Sequence, residues 1–281
     1  MAWETTSDEK QAFAWNRASW DERVAAHWAS KMYRAHADAL RAGTHDLDER
    51  IVELVGDVRG RSLIHLQCHM GMETLAWSRL GADAVGLDFS EPAIEKANLL
   101  REELGLSTRF VCANVYDALD VIREKFDVVF VSVGSLCWLP DSERWARIVS
   151  GLLNPGGRLF LNDTHPMCET LADAPSGEGL VVAYPYFHEA GIVEDCDETY
   201  ADGDHKFENV RAASWTRPIG EVVTSVIKAG LQIECLEESP RFVWPAFDQM
   251  RQIDPNLWEL NEPWTGRLPA SYTLMARRPD Q

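Results

Sequence analysis

From Ser62 to Thr164 the chain alternates short apolar runs with stretches of helical spacing. "SLIHLQC", "ADAVGLDF", "STRFVCAN", "FDVVFVSV" and "RLFLNDT" are brief, nearly continuous apolar runs bounded by turn residues, and each predicts a buried strand. Helices are expected over 71–80, 90–105 and 142–157, with a shorter one near 116–124. Ser90 is placed to cap the second, which has Pro92 in its first turn, and Pro155 with the glycines after it closes the third. Strand, helix, strand in strict repetition implies a parallel sheet covered on both faces, with every crossover right-handed. The expected fold class is therefore α/β.

The flanks follow other rhythms. "SWDERVAAHWASKMYRAHADALRAG" has helical spacing, with Ser19 as expected cap, Glu22 completing a capping box and Gly43 as terminator. "DLDERIVELVGDV" predicts a second short helix. After Pro166, "LVVAYPYF", "IVEDCDETY" and "HKFENVRAASWT" predict a small antiparallel meander, its second turn supplied by "ADGD". A helix over "PIGEVVTSVIKAG", a strand over "LQIECLEE", a Trp- and Pro-rich stretch from Pro240 to Pro269 and a last strand, "ASYTLMAR", complete the chain. The expected organisation is a helical lid segment over 1–50, a core over 51–165, an antiparallel insertion over 166–217 and a completion of the core sheet over 218–281.

Charge narrows the partners. A formal net charge of −18, with basic residues scattered, opposes a nucleic-acid partner, whose phosphates draw on clustered Lys and Arg. There is no apolar run long enough to span a bilayer, and "MAWETTSDEKQ" lacks the basic start and apolar core of a secretory signal, so a cytoplasmic location without a membrane partner is expected. The six cysteines form no C-x-x-C pair and are expected as free thiols. His65, Cys68 and His69 lie close in sequence, but a strand turns His65 and Cys68 to opposite faces and no downstream ligand pair completes a set, so no metal is expected.

The chemistry concentrates in "HLQCHMGMETLAWSRLGA". A dinucleotide fingerprint, G-x-G-x-x-G, brings bare backbone N–H groups to a pyrophosphate at a helix N-terminus. Here Gln67, His69 and Met72 stand at its three glycine positions, which disfavours a dinucleotide. The remaining glycine, Gly71, instead fits a G-x-G-x-G frame over Gln67, His69 and Gly71. In this loop, in "GLDFS", "CANVYD" and "FDVVFVSVGSLCWLPD", and in "LLNPGGRLFLNDTHP", the chain resembles the class I S-adenosylmethionine-dependent methyltransferases closely over roughly 55–165 and by general architecture over 218–278. More narrowly, the L-Q-C-H-x-G loop with "WLPD" and "HP" resembles a subfamily acting on small molecules.

The resemblance implies a Rossmann-like, doubly wound, mostly parallel seven-stranded sheet whose last strand is antiparallel, and S-adenosyl-L-methionine as cofactor. That cofactor has no phosphate, so side chains at the first two glycine positions are sterically tolerable. It places Gln67, Cys68, His69 and Gly71 at the cofactor's methionine end and Asp88 on the ribose hydroxyls, 88 − 67 = 21 positions after the loop start. Phe89 is expected against the adenine ring, Asn114 on its amino group and Val115 beside it, with Ser132 and Val133 passing the methionine end. Tyr33, from a lid built by the aromatic-rich N-terminus, is expected near the methionine carboxylate. His165, after the fifth strand, is the expected general base, its ordinary pKa near 6.5 suiting proton transfer at neutral pH. The aromatics Tyr184, Tyr186, Phe187, Trp215, Trp244, Phe247, Trp258 and Trp264 are candidate walls for a small-molecule acceptor.

The function these expectations compose is methyl transfer to N or O of a small molecule by in-line displacement. Two alternatives stand beside it. One is a non-catalytic S-adenosylmethionine-binding sensor or scaffold; the other, disfavoured by the missing glycines, is an NAD(P)-dependent oxidoreductase.

Overall fold

Asp8, with Gln11 three positions on, starts the first helix: its side chain accepts from the Gln11 amide at 3.0 Å. In this computed structural model residues 3–177, 179–201, 205–254 and 257–280 are described. Strand β1 (Glu4–Thr6) precedes α1 (Glu9–Ala29) and α2 (Lys31–Arg41). The single helix expected over 19–43 is two: Ser30 takes an extended conformation, accepts from the Tyr33 amide and caps α2, while Ser19 lies buried inside α1. The stronger cap signal is D-E-K-Q at 8–11, upstream of the one expected.

The core then follows the expected alternation. It runs α3 (Glu49–Val55), β2 (Ser62–Leu66), α4 (Met72–Arg79), β3 (Asp83–Asp88), α5 (Glu91–Leu104), β4 (Arg109–Cys112), α6 (Ala118–Val121), β5 (Phe126–Val131), α7 (Ser142–Leu152) and β6 (Leu153–Thr164). Ser90 caps α5 as expected, accepting from the Ala93 amide. After β7 (Leu171–Asp173), β8 (Leu180–Val182), β9 (Gly191–Asp195) and β10 (Arg211–Ser214) come α8 (Ile219–Lys228) and β11 (Gln232–Ser239). Last are β12 (Arg241–Phe242), β13 (Met250–Asp254), β14 (Leu257–Leu260) and β15 (Ser271–Arg277).

The seven-stranded sheet has the order β11-β15-β6-β5-β2-β3-β4. Strands β6, β5, β2, β3 and β4 pair in parallel, and β15 lies antiparallel between β6 and β11. Its faces are sealed by separate apolar layers. One buries Trp145, Val149, Leu152 and Val222 against Val129 and Leu161; the other buries Trp77, Leu75 and Leu63 against Phe130 and Phe160. Phe130 and Phe160 stack at 5.4 Å across β5 and β6. A sheet buried on both faces is why its strands read as continuous apolar runs.

Segment 166–217 is not one meander. β7 pairs with β8, whereas β9 is held between β10 and β1, so the N-terminus supplies a strand to this region. Residues 202–204 of the expected "ADGD" turn lie outside the described residues. The Trp- and Pro-rich stretch contains a further sheet, β12-β14-β13. Helix α1 is pinned to these additions: Asn16 exchanges two hydrogen bonds with the Ala213 backbone (2.9 and 2.8 Å), and the buried Arg23 donates to the Cys196 carbonyl at 2.6 Å. No helix among the described residues is long and apolar enough to cross a membrane.

Candidate active site

The parallel strands β2 and β5 leave the sheet in opposite directions of strand order, and the crevice outside their carboxyl ends is where such sheets bind ligands. A cavity of about 1490 Å³ opens there. Its wall is drawn from the loops after β2, β3, β4 and β5, from α1 and α2, and from residues 242–258.

The loop after β2 retains a glycine-type backbone without the glycines. Gln67 and His69 sit at φ 57° and 48°, and Gly71 at φ 71°. Left-handed backbone costs a residue with a Cβ about 1–2 kcal/mol, so two side chains are held under strain where the G-x-G-x-G frame would have none. Their contacts explain why they stay. Gln67 Nε2 donates to the Ser135 carbonyl at 3.0 Å, tying this loop to the one after β5. The His69 ring sits in a socket made by the N-terminal helices, with centroids 5.4 Å from Trp20, 5.2 Å from His27 and 5.6 Å from Tyr33. Its Nε2 shares a hydrogen bond with His27 Nδ1 at 3.0 Å. Burial lowers the pKa of His27 to about 4 and of His69 to about 3, so both rings are neutral at physiological pH.

His69 therefore docks α1 and α2 onto the loop. His69→Gly recovers the backbone strain but loses three aromatic contacts, each about 0.5–1.5 kcal/mol, and empties the socket. The expected outcome is faster hydrogen exchange across residues 9–41 with β2, β5 and β6 still protected. Unchanged protection of α1 would show the docking to be idle.

Gly71 is fixed by a neighbour. A Cβ there would stand 2.4 Å from Phe110 Cε1 and 3.0 Å from Ala97 Cβ, and the same ring leaves no room for a Cβ at Gly86. Phe110, on β4, thus packs over two glycines and brings α4, β3 and α5 close together.

Asp88, at the end of β3, is buried and accepts from the His69 amide (2.8 Å) and the Ser90 amide (2.9 Å). Burial raises its pKa to about 6 despite these bonds. Asp163, at the end of β6, is raised to about 6 by the same cause. One of its oxygens accepts from Gly134, Ser135 and Thr164 amides and the other from Leu136, so it organises the turn after β5. Asp163→Asn turns an amide NH₂ toward at least one of these donors. It should cost about 1–3 kcal/mol, the range for a buried unsatisfied group, read as a lower thermal midpoint.

Every cofactor candidate named from the sequence lines the cavity: Tyr33, Gln67, Cys68, His69, Gly71, Asp88, Phe89, Asn114, Val115, Ser132 and Val133. Several have further partners. The Asn114 carboxamide oxygen accepts from the Tyr116 amide at 2.9 Å and caps a short 3₁₀ turn, and Ser132 Oγ meets His65 Nε2 at 3.0 Å. The Tyr33 hydroxyl bonds the Tyr200 hydroxyl at 2.6 Å while its ring stacks on His27.

His165 is elsewhere. It is buried, its Nδ1 accepts from the Met167 amide (3.0 Å), its Nε2 meets Glu238 at 2.9 Å, and it is not part of the cavity wall. The base expected after the fifth strand therefore has no geometric support in His165: the chain turns at Pro166 and carries the ring away, toward β11. Of the candidate aromatic walls, Trp244, Phe247 and Trp258 line the cavity; Trp215 is buried beside Ala12 and Val193 instead. Glu73, Glu169 and Asp254 line it although the sequence does not single them out, because isolated acids in irregular or mixed segments carry no periodic signal. Among the described residues no His, Cys, Asp and Glu cluster suited to a metal ion occurs.

Comparison with known proteins agrees with this geometry. Residues 64–161 match a family model described as a methyltransferase domain. A ubiquinone biosynthesis O-methyltransferase of Bordetella avium is 28% identical over 114 residues, 41% of this chain and 47% of that protein. One from Coxiella burnetii is 27% identical over 105 residues, 37% and 44% of the two chains. The chain thus spans about half the length of the curated relatives it matches. Among solved structures, an S-adenosylmethionine-dependent methyltransferase from Clostridium acetobutylicum superposes with a TM-score of 0.55, at 15% identity, over 89% of this chain and 98% of its own. One from Mesorhizobium loti gives 0.54, at 18% identity, over 82% and 96%. At such identities the likeness speaks for the fold. Residues 64–161 are a methyltransferase domain, and the chain has the class I S-adenosylmethionine-dependent methyltransferase fold.

Proposed function

We propose that this protein is a methyltransferase that uses S-adenosyl-L-methionine to methylate N or O of a small molecule. The observation that carries the reading is the size and place of the cavity. Single small-molecule sites run to roughly 300–1,000 Å³, and about 1490 Å³ at the switch point has room for a cofactor and an acceptor side by side.

The residues present suit the cofactor. Gln67 Oε1 is buried with no partner among the described residues, an acceptor available to an amine N–H. Asp88 accepts from the His69, Phe89 and Ser90 amides and still has acceptor capacity left for the ribose hydroxyls. The turn at Gly71 leaves no space for a Cβ, and Gln67 and His69 crowd the path a diphosphate would take. Tyr33, Cys68, Phe89, Asn114, Val115, Ser132 and Val133 complete the proposed cofactor wall. When bound, the cofactor supplies a methyl group already activated on a sulfonium. The chain's own work is then to hold the acceptor atom in line at about 3–3.5 Å and to exclude water, for which α1, α2 and residues 242–258 are the walls. The acidic character of the chain supports a small-molecule partner rather than nucleic acid, and a cytoplasmic setting without a membrane partner is proposed with it.

Calorimetry with S-adenosylmethionine, S-adenosylhomocysteine and NAD, followed by mass analysis of a panel of small amines and phenols for a gain of one methyl, tests the reading. Binding of the first two and methylation of a panel member support it. A preference for NAD overturns it, and cofactor binding with no turnover on any acceptor favours a sensor.

A further inference from the structure

The wall contributed by residues 242–258 is aromatic. Trp244 lies 5.9 Å from Phe242 and 5.9 Å from Tyr200, and Phe247 is 6.1 Å from Phe242, centroid to centroid. Cys168 packs in the same apolar cluster as Phe242, Trp244, Phe247 and Trp258, and the next residue, Glu169, joins the cavity wall. No group among the described residues donates a hydrogen bond to the Glu169 carboxyl; the charges acting on it are Asp163 and Arg217. Behind it a void of about 10 Å³, near the size of one water, is lined by Asp163, Glu169, Arg217 and Tyr272. Arg217 is 7% exposed. Its Nη1 donates to the Pro140 carbonyl and to Glu221, both at 3.1 Å, while Nε and Nη2 are buried with no partner.

A half-buried carboxyl that faces the cavity without a protein donor is open to a ligand, and a buried guanidinium with two unpartnered nitrogens behind it is rarely left so unless a ligand or water completes it. The charge of the wall says which kind of ligand. Among the described residues, four aspartates and three glutamates line the cavity against one lysine and no arginine. Aromatic faces next to a carboxyl attract cations and leave an anion without a partner.

We infer that this part of the cavity is the acceptor subsite and takes a cationic amine with an apolar or aromatic body, its ammonium on Glu169 and its body among Trp244, Phe247 and Trp258. This rests on the methyltransferase reading. Burial pushes the Glu169 carboxyl well above the usual range, while Arg217, and an ammonium placed beside it, favour the ionised form. The arriving ammonium gives one proton to the Glu169 carboxylate. The freed lone pair on nitrogen then bonds the methyl carbon, leaving the carbon–sulfur electron pair on sulfur. Charge is conserved: the positive charge of the sulfonium passes to the methylated nitrogen, and the proton remains on Glu169 until solvent takes it.

The test uses 2-phenylethylamine, with 2-phenylethanol and 3-phenylpropionate as neutral and anionic counterparts and phenol as the oxygen acceptor. Each is titrated by tryptophan fluorescence with saturating S-adenosylhomocysteine. The amine is expected to bind at least 10-fold more tightly than the other three. E169Q is expected to lose at least 10-fold for the amine while keeping its S-adenosylhomocysteine affinity within twofold. Equal binding of the counterparts, tighter binding of phenol, or an undiminished amine affinity in E169Q overturns the inference. Should E169Q fail to fold, the ranking on the unaltered protein decides. If the unaltered protein does not bind S-adenosylhomocysteine, the methyltransferase reading falls, and the ranking measured without it still decides whether an ammonium site exists.

Discussion

Gly71→Val should remove cofactor binding and most of the fold's margin of stability. The new side chain must adopt φ near 71°, at a cost of about 1–2 kcal/mol, and must push on Phe110 and Ala97 at distances of 2.4–3.0 Å. Overpacking of this kind adds about 1–3 kcal/mol. The sum, about 2–5 kcal/mol, is a large share of the roughly 5–15 kcal/mol that holds a domain folded. A fall in thermal midpoint of roughly 4–20 °C follows from the usual size scaling. Phe110 has no easy retreat, because the same ring already abuts the Cβ position of Gly86. Gly60→Ala is the control: it has φ 70° but open space around it, so it isolates the backbone term and should cost only about 1–2 kcal/mol. If the two variants melt together, Phe110 is not the constraint described here.

Asp88→Asn should weaken S-adenosylhomocysteine binding and change its pH dependence. A carboxylate bonding two hydroxyls loses charge-assisted hydrogen bonds of about 1.5–3 kcal/mol each, so a drop of at least about 10- to 100-fold is expected at pH 8. The sign of the pH effect follows from burial. Asp88 is raised to about 6, so it is ionised above that pH and protonated below it. An acid that binds the ribose as a carboxylate loses affinity as pH falls through 6, approaching tenfold per unit, whereas the carboxamide of the Asp88→Asn variant does not titrate. Asp163 also lies near 6, but it is present in both proteins, so their difference isolates Asp88. His27 and His69, at about 4 and 3, titrate below this window. Parallel pH curves for the two proteins would remove Asp88 from the site.

The core was legible for a physical reason. Strands β2, β3, β5 and β6 are covered on both faces, so each appears in the sequence as an apolar run, and the helices between them announce their caps, as Ser90 does. The edge strand β4 is only half-buried and is located by its place in the alternation. The positions at the strand ends inherited that clarity: Gln67, Asp88, Asn114 and Ser132 fall where β2, β3, β4 and β5 deliver them. Elsewhere pairing is nonlocal. Nothing near "IVED" says that β9 will pair with Glu4–Thr6, and β13 is mostly exposed, so its residues alternate too weakly to betray a strand. Glu169 and Arg217 escape notice for a related reason: they meet only because β6 ends, the chain turns at Pro166, and a segment ahead of α8 folds back beneath it. His165 attracts attention by its place after β6, but place after a strand does not fix the direction of a side chain once the strand has ended.

The position of β15 bears on how the molecule is made. Strand β11 touches the main sheet only through β15, whose register with β6 runs from Ser271↔Thr164 to Arg277↔Arg158. During synthesis, β6 emerges from the ribosome with one edge bare, and it stays bare until more than a hundred further residues have followed. Closing so long a loop is slow, and a naked apolar edge invites association with other nascent chains. The expected vulnerability of this protein is therefore to chaperone shortage during translation rather than to heat once the sheet is complete.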